Sequence, residues 1–466
     1  MNVFIFRRDF RLEDNTSLIE CHKFEEKILP IFIFTPEQFS DQNSYRSEKS
    51  VQFMIESLES LQKQLSKIGT KLRTYYGDNL SVLREINKQK KIKTIFFNSD
   101  YTPYALKRDT QIASEFECES FEDYTLCGMK NVVTKSGTYY KMFSPYYRNV
   151  ISQIGNVSTQ NIKKFNFISS KEDFENNFSF FPENTNYDTP SERAPSERAP
   201  SERAPSEGGR ENAMKILNHI TDFKNYAKER DFVAIPTTHL SAHIKFGTVS
   251  IREVCKIFQK KLKSNSETLI KQLIWHDFYA YIMYHTDKKQ TLGNSNMKEL
   301  SIQWDTSKSK FEKWKKGETG FPYVDAGMRQ LNETGYLPNR ARLVVASFLI
   351  MLLHINWKKG EKYFAKKLYD YDPSSNNGNW QWVAQVGVDN PRVWPRIFNP
   401  IQQSKLTDPN CEYIKTWVPE LKEVENKKIH NLKLEGVYIS PIVDYEKERK
   451  EAQKRYHQAK EKGKVK

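Results

Sequence analysis

Over residues 1–130 short apolar runs alternate with stretches whose apolar residues recur at helical spacing. NVFIF (2–6), ILPIFIF (28–34), KLRTYYG (71–77) and KTIFFN (93–98) read as strands. Between two of them, within residues 50–69, Val51, Ile55, Leu58, Leu61, Leu65 and Ile68 fall on one side of a helix. Continuous apolar strands separated by amphipathic helices predict an α/β domain built on a Rossmann-like, doubly wound parallel sheet. No G-x-G-x-x-G follows the first strand, so the dinucleotide fingerprint is missing.

The pattern then changes. Residues 131–210 are expected as an interdomain linker containing a low-complexity insert, PSERAPSERAPSERAPSE (190–207). Its five-residue unit has no apolar face to bury and is too short to form a stacking repeat. From 211 to 466 the periodicity is helical, as in IREVCKIFQKKLK (251–263), ETLIKQLIWHDFYAYIMYH (267–285), YVDAGMRQLNETG (323–335) and NRARLVVASFLIMLLHI (339–355). A larger all-α domain therefore follows the α/β domain. The longest apolar run, Leu343 to Ile355, is too short to span a bilayer and is expected as a buried helix.

Charge and composition narrow the class. A net charge of +15 points towards a polyanionic partner, and aromatics at 13% suit a protein that stacks rings on bases. The five cysteines (Cys21, Cys118, Cys127, Cys255, Cys411) are scattered with no C-x-x-C pair, which argues for reduced thiols in an intracellular, soluble protein. FRRDFRLEDN (6–15) puts charge where a signal peptide needs an apolar stretch. There is no Walker loop, H-E-x-x-H, G-x-S-x-G or paired Cys/His set, so hydrolase and metal chemistry are disfavoured and no metal is expected. The helical half instead offers Trp275, Trp304, Trp357, Trp380, Trp382 and the run NRAR (339–342). Such residues suit a planar cofactor and a nucleic-acid backbone.

FRRDFRLEDN, YAKERDF (226–232), TTHLSAHIKFGTVSIREV (237–254), TGFPYVDAGMRQL (319–331), NWKKGEKYF (356–364), NNGNWQW (376–382) and PRIFNP (395–400) resemble the photolyase/cryptochrome family in order and over most of the chain. The likeness is greatest to class I photolyases that repair cyclobutane pyrimidine dimers, and YISPIVDYEKERKEAQKRY (438–456) also looks like theirs. The resemblance implies FAD in the helical domain. By position Tyr226, Thr237, Thr238, Leu240 and Ser241 hold its phosphates and ribityl chain, a sensible use of hydroxyls and N–H groups at a helix start. It further implies that Asp370 and Asp372 contact the cofactor, that Arg342 pairs with Asp370, and that Asn376 faces flavin N5.

By the same resemblance Trp380, Trp357 and Trp304 form an electron-transfer chain from flavin to surface. Trp275 and Trp382 stack on a flipped-out lesion, Gln272, Asn339 and Leu343 lie near it, and Arg230 and Arg340 meet the flanking phosphates of UV-damaged DNA. Enzymes that do chemistry on a base take it out of the stack, photolyases among them.

Departures from the family pattern matter as much. Gln272 stands where dimer photolyases carry a glutamate, which pulls towards the (6-4) photolyases. Pro338-Asn339 stands where those enzymes have a histidine pair, and the missing imidazole removes their proton donor. His276 replaces the arginine that usually makes a flavin-side contact, Asn379 stands where relatives often have glycine, and Cys255 and Cys411 are too few for an iron–sulfur cluster. The resemblance allows a second antenna chromophore of folate, deazaflavin or flavin type; Tyr104-Ala105 replaces the Asn-Glu pair of folate binders, which leaves a deazaflavin or flavin antenna, or none. The rival is a cryptochrome-like photoreceptor; those often append long tails, whereas this chain stops soon after the family's helix, so the enzyme is expected, as a monomer.

Overall fold

The structure is a computed structural model that describes residues 1–155, 157–162, 164–172, 174, 207–286, 301–388 and 395–464. The insert expected at 190–207 lies, all but its last residue, outside the described residues. The described residues form two compact units, the first comprising those up to 174 with 207–224 and 238–285, the second 225–237, 286, 301–388 and 395–464.

In the first unit five parallel strands, β1 (Asn2–Phe6), β2 (Ile28–Phe34), β3 (Arg73–Tyr76), β4 (Ile95–Asn98) and β5 (Cys118–Phe121), lie in the order β3-β2-β1-β4-β5. This is the doubly wound sheet that the sequence pattern predicts, with its reversal of order between β1 and β4. β1 and β2 are buried at every position. Pro30 is tolerated inside β2 because pairing with β3 begins only at Ile31, on the side to which the Ile28 N–H also points. β5 escaped the sequence reading, since CESF has no apolar run and is only partly buried.

The Glu48–Lys67 helix starts where Ser47 caps the Ser50 N–H, and it buries Val51, Leu58, Leu61 and Leu65 as expected. Ile68 instead follows the helix end and is exposed. The stretch expected as linker holds a helix in its described part, Phe143–Ile154, with Phe143, Tyr146, Val150 and Ile154 buried on one side. The Ile251–Leu262 and Glu267–His285 helices also belong to this first unit. A buried ion-pair network ties the former down: Arg252 meets Asp14 at 3.0 Å and Asp123 at 2.7 Å, and Arg11 meets Asp123 at 2.6 Å.

The second unit is helical. Its core gathers Trp314, Phe348, Leu349, Met351, Phe364 and Trp380, and the Trp314 indole N–H is satisfied by the Val345 carbonyl at 3.0 Å. The run expected as one helix over 339–355 is regular only to Ser347. It widens into a π-turn at Phe348–Leu352 and ends at His354, whose φ is +54°. Asp305 takes advantage of that break: its N–H bonds the His354 carbonyl at 2.8 Å. Among the described residues no helix is long and apolar enough to cross a membrane.

Candidate active site

In the second unit two helices meet face to face, Trp357–Lys367 and Pro373–Val383. Each has a polar residue at its start: Asn356 accepts the Lys358 N–H at 3.0 Å and Asp372 accepts the Ser375 N–H at 2.9 Å. Asp372 also takes the Ser374 hydroxyl at 2.6 Å. On the first helix Trp357, Gly360, Glu361 and Phe364 are buried at spacings of three and four. Asn376 and Trp380, one turn apart on the second helix, lie against them.

The contact is close. A Cβ at Gly360 would stand 2.3 Å from Trp380 Cη2, so only glycine admits the indole. Trp380 is edge-on to Phe364, with centroids 5.0 Å apart, and Trp314 lies 6.4 Å away at 77°. The Asn376 amide donates to the Glu361 carboxylate at 3.0 Å and to its carbonyl at 3.2 Å. Trp357 is buried, while Trp304 is half-buried against the same core. The backbone bridge from Asp305 to Ile355 sets the Trp304 segment beside the chain that leads into Trp357. Thus all three tryptophans of the expected electron path belong to adjoining elements.

A polar cluster lies in the same unit. Arg342 pairs with Asp370 at 2.9 and 3.1 Å, as expected, and donates Nε–H to the Leu337 carbonyl at 2.7 Å. Burial alone would push the Arg342 guanidinium down, but the Asp370 and Tyr336 charges hold its pKa above the ordinary value. Tyr336 bonds the Thr237 hydroxyl at 2.9 Å, and burial pushes its phenol up. Tyr226 is half-buried and its phenol is likewise raised by burial. Asn377 adds a buried amide whose Nδ2 has no hydrogen-bond partner among the described residues. Hydroxyls, a paired arginine, two buried carboxylates and a free amide donor fit a ligand with hydroxyl, phosphate and ring-heteroatom edges.

Asn339 is exposed at the first position of its helix and Leu343 packs partly on the core one turn later. Arg340 and Arg230 share one acid, Asp231, at 2.7 and 3.8 Å. Trp382 is half-buried, with the Arg396 guanidinium 5.9 Å from its ring.

The first unit carries the remaining expected residues. Thr238 is half-buried, Leu240 is buried, and the exposed Ser241 begins a short turn of helix after His239, whose φ is +52°. Gln272 donates back to the Thr268 carbonyl at 3.3 Å. Trp275 stacks on Phe143 with centroids 3.5 Å apart and planes 3° from parallel, so one indole face is already covered.

Glu361, Gly360, Tyr336, Asp231 and Phe143 were not among the expected site residues. Glu361 was within reach of sequence reasoning, since it follows Trp357 by four in NWKKGEKYF. Asp231 was too, lying beside Arg230. The stacking of Phe143 has no local signal.

Residues 2–162 match the family model of DNA photolyase, and 269–458 match that of the FAD binding domain of DNA photolyase. A deoxyribodipyrimidine photo-lyase of Buchnera aphidicola subsp. Acyrthosiphon pisum is 32% identical over 98% of this chain and 97% of its own. An archaeal photolyase from Sulfolobus tokodaii, solved with two FAD molecules, superposes with a TM-score of 0.81 at 34% identity, covering 98% of this chain and 100% of that one. A cryptochrome from Synechocystis superposes at 0.84 with 25% identity, covering 97% and 98%.

Proposed function

We propose that this chain, which belongs to the DNA photolyase family, is a light-driven DNA repair enzyme that splits cyclobutane pyrimidine dimers. The observation that carries the reading is the packing of Asn376 and Trp380 on Glu361 and Gly360, which fixes an amide and an oxidisable indole side by side. FAD is the cofactor, and once bound and reduced it supplies the electron that light drives onto the dimer.

The chain's own residues do the rest. Tyr226, Thr237, Thr238, Leu240, Ser241, Asp370 and Asp372 hold the cofactor through hydroxyl, backbone and carboxylate groups. Arg342 holds Asp370 in place through their ion pair at 2.9 Å. Asn376 takes the flavin N5 edge. Trp380, Trp357 and Trp304 re-supply electrons from the surface. Trp275 and Trp382 stack on the extruded bases, with Gln272, Asn339 and Leu343 beside them. Arg230 and Arg340 leave Asp231 for flanking phosphates. A second chromophore of folate, deazaflavin or flavin type acts as antenna; the likeness to the Sulfolobus tokodaii photolyase with two FAD molecules favours a flavin. The enzyme acts on UV-damaged DNA as a monomer.

Gln272 supports a second reading, repair of (6-4) lesions, but Pro338 and Asn339 provide no imidazole for it. The likeness to the Synechocystis cryptochrome supports a third, a photoreceptor without repair. Illumination of the reduced protein with each defined lesion separates the three, and sedimentation of the protein on DNA tests the monomer.

A further inference from the structure

Two neighbouring helices of the second unit, Lys308–Lys316 and Trp357–Lys367, carry ten lysines and two glutamates between them. Glu361 is buried and bonds Asn376, and Glu312 pairs with Lys315 at 2.8 Å, so acids on these helices offset little of the charge. On the second helix Gly360, Glu361 and Phe364 face the Pro373–Val383 helix. Lys359, Lys362, Tyr363 and Lys366 follow at spacings of three and four on its outer side. The exposed Lys308, Lys313 and Lys316 line the outer side of the first helix, whose Trp314 is buried. The two sets form one surface: Lys359 Nζ lies 5.9 Å from the Phe311 ring centre, and Lys315 Nζ lies 5.7 Å from that of Tyr363.

Trp304, the outer member of the electron path, sits at one end of this surface. Asp305 beside it pairs with Lys310 at 3.1 Å and accepts the Ser307 N–H at 2.7 Å, where the first helix begins. The Asp305 N–H bonds the His354 carbonyl at 2.8 Å, and the bridge to Ile355 lies two residues before Trp357, where the second helix begins. Both lysine-rich helices therefore start beside Trp304. The expected lesion contact lies elsewhere. Trp380 and Trp382 are about 200° apart around the Pro373–Val383 helix. Trp380 meets Gly360, so Trp382 points away from the Trp357–Lys367 helix, towards Arg396 at 5.9 Å. DNA held at Trp382 leaves the lysines uncovered.

We propose that this face docks a small, acidic one-electron carrier protein that reduces Trp304 after light has oxidised it, a step that rests on the electron path given above. The lysines steer and orient an acidic partner before contact and repel a basic one. The half-buried Trp304 ring is the point of electron entry. One electron leaves the redox centre of the carrier and returns the indole to its reduced form. The carrier is oxidised by one electron, and the electron already passed inward stays with the cofactor. No bond is made or broken. A nucleic acid matches the charge of this face but has no electron to give.

The test uses the full chain loaded with oxidised FAD, and reduced plastocyanin, an acidic blue-copper carrier, as the probe. A blue flash oxidises Trp304, and its recovery is followed together with the appearance of oxidised copper. Recovery should speed up with plastocyanin concentration, with one copper oxidised per tryptophan recovered. The rate should fall about tenfold or more between about 0.01 and 1 M salt. Reduced cytochrome c, a basic carrier, should be about tenfold slower at low salt. Lys313→Glu/Lys316→Glu/Lys359→Glu should remove the advantage of plastocyanin, and the corresponding triple Gln variant should fall between it and wild type. Recovery with the uncharged donor dithiothreitol, FAD content and affinity for dimer-containing DNA should stay within about twofold of wild type in both variants. Equal rates for the two carriers, or unchanged plastocyanin rates in both variants, overturn the inference. Variants that keep the carrier reaction but lose DNA affinity make this a nucleic-acid surface and overturn it too. A wild type in which the flash leaves no oxidised tryptophan, with or without carrier, overturns the electron path itself.

Discussion

Asn376 donates its side-chain amide twice to Glu361, to the carboxylate at 3.0 Å and to the backbone carbonyl at 3.2 Å. With both N–H groups engaged, the amide cannot flip, and its oxygen is left as the acceptor facing away from Glu361. Glu361→Gln retains an acceptor at that point and should preserve blue-light reduction of oxidised FAD. Glu361→Leu removes it, and the freed amide should slow that reduction several-fold while FAD stays bound. Absorbance decay of the oxidised cofactor under constant illumination checks both.

Trp380 depends on the bare backbone of Gly360. Gly360→Ala drives a methyl into the indole, and overpacking of this kind costs about 1–3 kcal/mol. The expected result is a lower urea midpoint together with slower FAD photoreduction. Trp380→Phe separates the two effects: it should slow photoreduction while sparing repair by chemically reduced enzyme. Unchanged photoreduction in Trp380→Phe would remove this residue from the electron path.

Arg230 and Arg340 share the single carboxylate of Asp231, which offsets part of their charge. Asp231→Asn should therefore tighten binding to any DNA, damaged or not, at low salt. Arg340→Ala should weaken it and reduce the slope of log K against log[salt] by about 1, the mark of one lost phosphate contact. Fluorescence anisotropy over a salt series measures both.

The sequence reached the α/β and helical halves because NVFIF and ILPIFIF are apolar on both faces and NRARLVVAS keeps helical period. It missed β5, whose four residues are partly exposed and carry no pattern, and it missed the π-turn at Phe348–Leu352, which comes from tertiary packing of an unbroken apolar run. The Arg342–Asp370 pair followed from matched motifs and forms at 2.9 Å. Contacts such as Asn376 on Glu361 or Trp275 on Phe143 join residues 15 and more than 100 positions apart, and no local rule specifies them.

Asp123 lies between Arg11 and Arg252 in the first unit. Burial opposes its charge, but the two guanidinium groups prevail and hold its carboxyl well below the ordinary value. A depressed carboxylate contributes stability that is complete above the unfolded pKa, about 3.9, and is lost as pH falls towards the folded value. Asp123→Asn leaves the buried Arg11 without its carboxylate partner and Arg252 with Asp14 alone, and should cost about 3–5 kcal/mol at pH 7. The gap between variant and wild type should narrow below about pH 4, as read by urea denaturation at pH 7 and pH 2.5.

Repair of cyclobutane dimers by the reduced, FAD-loaded enzyme is read most directly with defined lesions. Two oligonucleotides, one bearing a cyclobutane thymine dimer and one a (6-4) lesion, are illuminated with blue light beside dark controls, and intact pyrimidines are quantified by chromatography. Light should restore the dimer substrate and leave the (6-4) substrate unchanged. Restoration of the (6-4) lesion alone, or of neither, would contradict dimer repair.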